Sequence, residues 1–278
     1  MQLNPSSQQP IIIDSNTDSL PVYLKKIWRY RQLILTFARR DLKVKFAQTS
    51  LGLAWVIIQP TFAVAVYTAF FTLVIKIPTG NTPYILFVIS GITLWGLFSY
   101  IFSQGVNVLI SNQDLIRKMA FPKITLPFSK VIVAGIEFVI SFILLFIAWL
   151  ILSRNIQWQI TLLLLPILGV ALFALAITLI LLSYSIKNRD LLHIAPFLVY
   201  FGIWFTPVFY PVSLIPEEVK HLIYLNPLAG MIDFFRWTIG INPAFSIFYL
   251  IDFLGIVLLF ALALIRFKNI EDNLVDTI

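Results

Sequence analysis

The chain has 278 residues, 59% of them hydrophobic and 12% charged. A soluble domain is about 45–50% apolar and about 25% charged, so this composition excludes an ordinary water-soluble globule. The 20 Lys and Arg exceed the 13 Asp and Glu, for a formal net charge of +7. In a membrane protein such an excess marks inward-facing loops rather than nucleic-acid binding. No cysteine is present, which removes disulfides, thiolate nucleophiles and cysteine metal sites.

Residues 1–20 are polar apart from Ile11, Ile12 and Ile13. They lack the basic start and apolar stretch of a signal peptide, so the amino terminus is expected in the cytoplasm. Residues 21–50 mix eight Lys and Arg with Leu24, Ile27, Trp28, Ile34, Leu35, Phe37, Ala38 and Leu42, spaced as on one helix face. This predicts an amphipathic helix in the inner membrane interface, capped by Asp18 or Ser19, with Pro21 in its first turn.

Six apolar stretches follow that are candidates to cross a bilayer: 55–75, 84–110, 128–152, 160–185, 195–210 and 247–265. The fifth is short and bounded or interrupted by Pro196, Pro207 and Pro211. Between the fifth and sixth, Pro211, Pro216, Pro227 and Pro243 divide residues 211–246 into two short helical pieces, near 216–225 and 227–240. Broken backbone of this kind at membrane depth must be buried in protein or line a wet cavity, which predicts a re-entrant pair. The expected organisation is all-α: a polar tail (1–20), an interface helix (21–50), a six-span membrane domain (51–268) and a tail (269–278).

With both termini inside, sixteen of the twenty Lys and Arg fall on cytoplasmic segments, leaving Lys76, Arg154, Lys220 and Arg236 outside. Trp149 and Trp158 would then lie at the outer interface and Trp55 at the inner one. His193 and His221 fall on opposite sides, so they cannot share a metal. There is no Gly-Lys pair, hence no phosphate-binding loop, and no H-E-x-x-H or G-x-S-x-G motif. The chain therefore lacks the parts of a hydrolase and must borrow its energy.

Arg40-Asp41-Leu42-Lys43-Val44-Lys45-Phe46, Ser50-Leu51-Gly52-Leu53-Ala54-Trp55 and Gln59-Pro60 resemble the amino-terminal signature of ABC-2 type polysaccharide export permeases. Asn112-Gln113-Asp114-Leu115-Ile116-Arg117-Lys118 with Phe121-Pro122, and Asn226-Pro227, extend the likeness. Phe46 departs from the Tyr common in relatives. The resemblance implies an inner-membrane half-transporter of O-antigen type, with no cofactor of its own. Two copies would pair with two ATP-binding cassette subunits that hold ATP and magnesium. The substrate would be a glycan on a polyprenyl pyrophosphate.

Several residues become candidates on this basis. Arg39, Arg40, Lys43 and Lys45 offer clustered cations for the pyrophosphate, or simply for anionic membrane lipid. Residues 112–121 would be the coupling helix, with Asn112 as cap, Asp114 in the first turn, an apolar ridge of Leu115, Ile116 and Met119, and Pro122 as the stop. Glu137 lies inside the third stretch, where a charge costs about 2.5–3.5 kcal/mol, so it should face the bundle as a helix partner or gating group. Asp252 is expected near the outer interface, and Asp233 with Arg236 as a surface pair. Tyr67, Trp95, Phe98, Tyr100, Trp204 and Phe205 are ring-bearing candidates for a glycan path. Competing readings are a permease for a small lipophilic drug or lipid, and a membrane enzyme acting on polyprenyl lipids, although such an enzyme should cluster its acids.

Overall fold

The computed structural model describes residues 19–47, 49–52, 54–77, 82–152, 158–185, 188–242 and 244–271. Among these residues all regular structure is helical. The order is α1 (Leu20–Arg29), α2 (Arg31–Phe46), α3 (Ala54–Ala69), α4 (Tyr84–Val106), α5 (Gln113–Lys118), α6 (Thr125–Leu152), α7 (Leu164–Ser185), α8 (Ile194–Phe205), α9 (Glu217–Ile223), α10 (Pro227–Thr238) and α11 (Phe248–Ile270). A turn of π-helix, Phe70–Ile75, prolongs α3 and ends at Lys76, whose φ of 57° is left-handed.

Five helical stretches are long and apolar enough to cross a bilayer: Ala54–Ile75, Tyr84–Val106, Thr125–Leu152, Trp158–Ser185 and Phe248–Ile270. The chain is thus a multi-pass membrane protein. The stretch expected as a span over 195–210 is shorter. Only the 12 residues of α8 are α-helical, or about 18 Å at 1.5 Å per residue, against a hydrocarbon core of about 30 Å. The reason is local. Pro207 forces the residue before it out of helical geometry, and Thr206 is extended at φ −108° and ψ 138°.

Helix α4 is the most enclosed of the five stretches. It is flanked by α6 and α7, α11 lies along α7, and α10 wedges between α11, α7 and α4. Two glycines permit the closest approaches. A Cβ at Gly91 would meet the Arg236 guanidinium at 2.8 Å, and one at Gly230 would overlap the Asp252 carboxylate. Asp252 is buried, and its Oδ2 has no hydrogen-bond partner among the described residues. The residue expected near the outer interface is thus enclosed, because α10 closes over it at Gly230. Helix α3 forms an outer layer against α4 and α6, with most of its surface outside the protein.

The amino-terminal region departs from one continuous helix. It breaks at Tyr30 (φ −89°, ψ 12°) into α1 and α2. Each half buries its own stripe: Tyr23 and Ile27 from α1, then Ile34, Phe37 and Ala38 from α2, the latter helix lying along α6. Leu24 and Trp28 remain exposed. Pro21 does stand in the first turn, but Ser19 makes no side-chain cap bond, and Asp18 lies outside the described residues. Trp55 and Trp158 are exposed, whereas Trp149 is buried and donates from Nε1 to the Ile239 carbonyl at 2.9 Å. Trp149 is thus packed in the protein core rather than presented to lipid.

Candidate functional site: a cation-bordered cleft and a buried arginine

Helix α2 divides its charges between two lines. Arg39 and Lys43, four apart, are exposed. Asp41 and Lys45, also four apart, face α6. Lys130 Nζ donates to Asp41 Oδ2 at 2.6 Å, and Lys45 Nζ donates to Glu137 Oε1 at 2.5 Å. Arg40 shares Asp41, with Nη2 at 2.9 Å and Nε at 3.1 Å from Oδ1, and lies over the Phe37 ring. The four cations expected to act together are therefore not one cluster. Only Lys45 turns toward the middle of α6, where it also sits 4.6 Å from the centre of the Tyr100 ring. An ammonium over a ring face gains electrostatically from the ring quadrupole.

Glu137 thereby finds its partner. The intramembrane acid is neutralised by Lys45 of the preceding helical layer, which resolves the cost its position implied. The pair borders a cavity of about 380 Å³, lined also by Phe46, Trp55, Gln59, Gly96 and Ser141. A second cavity of about 240 Å³ shares Pro60, Ile92 and Ser141 with it and is walled by Val64, Ala65, Ile85, Ile89 and Leu144. Together they make a cleft between α3, α4 and α6, polar at the Lys45 end and aliphatic beyond.

The second polar network is sealed. Arg236 is fully buried. Its Nη1 donates to the Pro207 carbonyl at 2.6 Å, and its Nη2 to those of Val208 and Phe87 at 2.9 and 3.1 Å. Nε reaches Ser90 Oγ at 3.3 Å, Nη1 stands 3.4 Å from Asp233 Oδ1, and the guanidinium lies 3.5 Å over the Phe87 ring. The expectation of a surface Asp233–Arg236 pair is overturned. The arginine saturates the carbonyls left open where α8 ends at its prolines, a demand that spacing alone does not reveal.

The segment expected to couple is a six-residue helix, α5, after a 3-10 turn. Asn112 does not cap it. Its Nδ2 donates back to the Val108 carbonyl at 2.7 Å. The apolar ridge is split: Ile116 is buried in the protein's own core, Leu115 is half-buried and Met119 is exposed. Asp114, Arg117 and Lys118 are exposed beside it. The helix ends at Lys118, ahead of Pro122, because Met119 is extended. Phe121 is buried against Phe37, with ring centres 5.6 Å apart, and Pro122 is buried as well.

Glu271 joins this region to the end of α11. It accepts hydrogen bonds from the Tyr23 hydroxyl and the Lys123 backbone N–H. Burial pushes its carboxyl above the usual carboxylate range, against the opposing pull of those two bonds. By sequence alone Glu271 falls in the tail expected over 269–278.

The ring candidates separate as well. Trp95 and Phe98 are buried within the protein, Phe98 stacking on Phe102 and Phe173, and Trp95 filling space beside Gly202. Tyr67 is half-buried with its ring 4.2 Å from that of Phe209, and Tyr100 lies beneath Lys45. Trp204 and Phe205 are exposed on α8, alongside Phe197, Tyr200 and Phe201.

Residues 32–240 match the family described as ABC-2 type transporter. The chain belongs to this family. Among its relatives, an O-antigen export system permease protein of Myxococcus xanthus is 30% identical over 215 residues, covering 77% of this chain and 82% of the relative. A permease of the same description from Klebsiella pneumoniae is 27% identical over 232 residues, 81% of this chain and 87% of that one. The polysialic acid transport protein of Escherichia coli is 22% identical over 239 residues, 83% and 91% of the two chains. The family match spans both polar networks of this ABC-2 chain, the cleft and α5, and ends just past α10. Asp41 lies in the amino-terminal motif, and its partner Lys130 is 89 positions away in sequence. Their packing into one network carries no linear signal.

Proposed function

We propose that this chain is the membrane subunit of an ATP-driven polysaccharide exporter of O-antigen type. The observation that carries the reading is its likeness to O-antigen export permeases over more than three quarters of its length. The substrate is a glycan carried on polyprenyl pyrophosphate, moved across a bacterial inner membrane. Two copies of the chain act with two ATP-binding cassette subunits, which hold ATP and magnesium. Both termini lie in the cytoplasm, with α8 as a short sixth crossing and α9 and α10 as a re-entrant pair at the outer face. The exposed charges of α5 with Met119 form the surface that receives the ATPase, and Arg39 and Lys43 attract the anionic lipid head. The aromatic face of α8, with Tyr67 and the exposed side of α3, suits the second copy and the glycan path, since sugar C–H groups pack on ring faces. Trp95 and Phe98, buried in one copy, serve packing.

The test is reconstitution. The purified chain alone hydrolyses no ATP. With a cassette partner it forms a two-plus-two complex that moves lipid-linked glycan into vesicles only when ATP is supplied. ATP hydrolysis by the chain alone, or a complex that turns over ATP without moving glycan, would overturn the reading.

A further inference from the structure

Three segments far apart in sequence meet at the carboxyl of Glu271, the residue that follows α11. The Tyr23 hydroxyl of α1 donates to one of its oxygens, and the Lys123 backbone N–H, between α5 and α6, donates to the other. Glu271 is only 6% exposed. Glutamate is almost never buried to that degree unless it is paired. A leucine would fill the same space without the cost of desolvating a carboxyl. What leucine lacks is the capacity to accept from two other segments at once.

The three segments are not held equally. Helix α11 lies along α7, and Phe267, four residues before Glu271, is fully buried. Helix α1, by contrast, packs chiefly on α2, and α5 chiefly on the 3-10 turn Ile110–Asn112 that precedes it. Elements with few packed neighbours are the ones that open or shift most readily. Both of these are tied to the well-packed helix through the same side chain. On the α5 side the tie is short and stiff. Between Met119 and Lys123 stand the buried Phe121 and Pro122, the proline with its φ fixed by the ring, and the Pro122 carbonyl accepts from Thr125 Oγ1 at 2.7 Å. We infer that Glu271 is a positioning residue, a clasp that fixes α1 and the end of α5 to α11, so that the three shift together when the ATPase moves α5. The consequence for export rests on the α5 surface of the proposed function, whereas the clasp itself is measurable in the chain alone.

The chain contains no cysteine, so introduced pairs can carry spin labels without background. Met119→Cys with Leu168→Cys reports the end of α5 against α7, and Lys25→Cys with Leu168→Cys reports α1 against the same helix, all three positions being exposed. Distance distributions are measured on the full chain in nanodiscs. Glu271→Ala should widen both at least twofold. Glu271→Gln, which keeps an oxygen for the Lys123 N–H and an amide for the Tyr23 hydroxyl, should return both to the wild-type width. Tyr23→Phe keeps the buried ring and loses the hydroxyl, so it should widen the α1 distance alone. Leu145→Ala, a truncation in the core of α6, should lower Tm and leave both widths unchanged, which separates positioning from lowered stability. In complex with a cassette partner, Glu271→Ala should move about tenfold less glycan per ATP hydrolysed, and Glu271→Gln should stay within about twofold of wild type. Unchanged widths in a folded Glu271→Ala chain would overturn the inference, as would equal widening in Leu145→Ala. Widened distances with glycan per ATP unchanged would overturn it too. Where Glu271→Ala does not fold, Tyr23→Phe decides, and an unaltered α1 distance in that variant defeats the clasp. A wild-type complex that moves no glycan would tell against the proposed function, while the distances still decide the clasp.

Discussion

Two charged networks within this membrane domain each pair a cation with a carboxylate, to opposite ends. Around Arg236 every donor is directed at a carbonyl, a hydroxyl or Asp233, and the pair is sealed, at 1% and 4% side-chain exposure. Around Lys45 and Glu137 the pair is 36% and 20% exposed and borders a cavity. Burial without vacancy makes a strut, because every hydrogen bond is already spent on holding α4, α10 and the end of α8 together. Burial beside a vacancy leaves donors to offer. The comparison teaches that an intramembrane charge indicates function only when part of its bonding capacity faces open space.

The largest effect should come from breaking the strut. Arg236→Leu removes the donors to Phe87, Pro207 and Val208 and takes from Asp233 its cationic partner, and losing one partner of a buried pair costs about 3–5 kcal/mol. Folded protein recovered in detergent should fall to background. Arg236→Lys should not restore it, since a point charge cannot reproduce the fork. Next, Asp41→Asn should destabilise more than Glu137→Gln, because the Asp41–Lys130 pair is the more enclosed, at 13% and 11% exposure. Thermal unfolding of the two variants side by side measures the order, and the reverse ranking would dissolve the contrast between open and closed pairs.

A smaller effect is expected at Glu271. Its carboxyl is raised in the folded protein, so the neutral form is favoured by folding. Its contribution is fully present below the ordinary carboxylate pKa and is lost as pH rises through the raised value. Glu271→Gln should therefore flatten the decline in stability above the usual carboxylate range, as seen in unfolding curves taken across pH. The smallest stability change should accompany Met119→Asp, at the exposed residue that follows α5, within about 0.5 kcal/mol as for most surface changes. Ile116→Asp, by contrast, should unfold the region because that side chain is in the core. ATP-driven export by the folded Met119 variant then reports coupling free of damage to the fold.

Much of the architecture was legible because hydrocarbon is an unforgiving solvent. Long apolar runs must be helices there, and the stretches around Ala54, Tyr84, Thr125, Trp158 and Phe248 emerge within a few residues of their sequence limits. The short pieces α9 and α10 were legible from prolines, with Asn226 accepting from the Leu228 N–H as an N-cap should. The short helix after Asn112 was legible, but its Asn112 cap and continuous ridge were not real, because a six-residue helix takes its orientation from the core it touches rather than from its own periodicity. The aromatic candidates divided for the same reason. Position inside a span cannot distinguish Trp95, packed beside Gly202, from Trp204, facing outward.

The sequence by itself determined the solvent, the helical class, the breaks at Pro207 and Pro227 and the likeness to polysaccharide export permeases, since each depends on composition or on residues adjacent in the chain. Only the tertiary structure decided which charges are neutralised and which remain available. Lys45 meets Glu137 across 92 positions, Arg236 reaches Phe87 across 149, and Tyr23 meets Glu271 across 248. At membrane depth an ionisable group is set by whatever polar partner packing brings within about 3 Å, and a linear pattern holds no record of that distance.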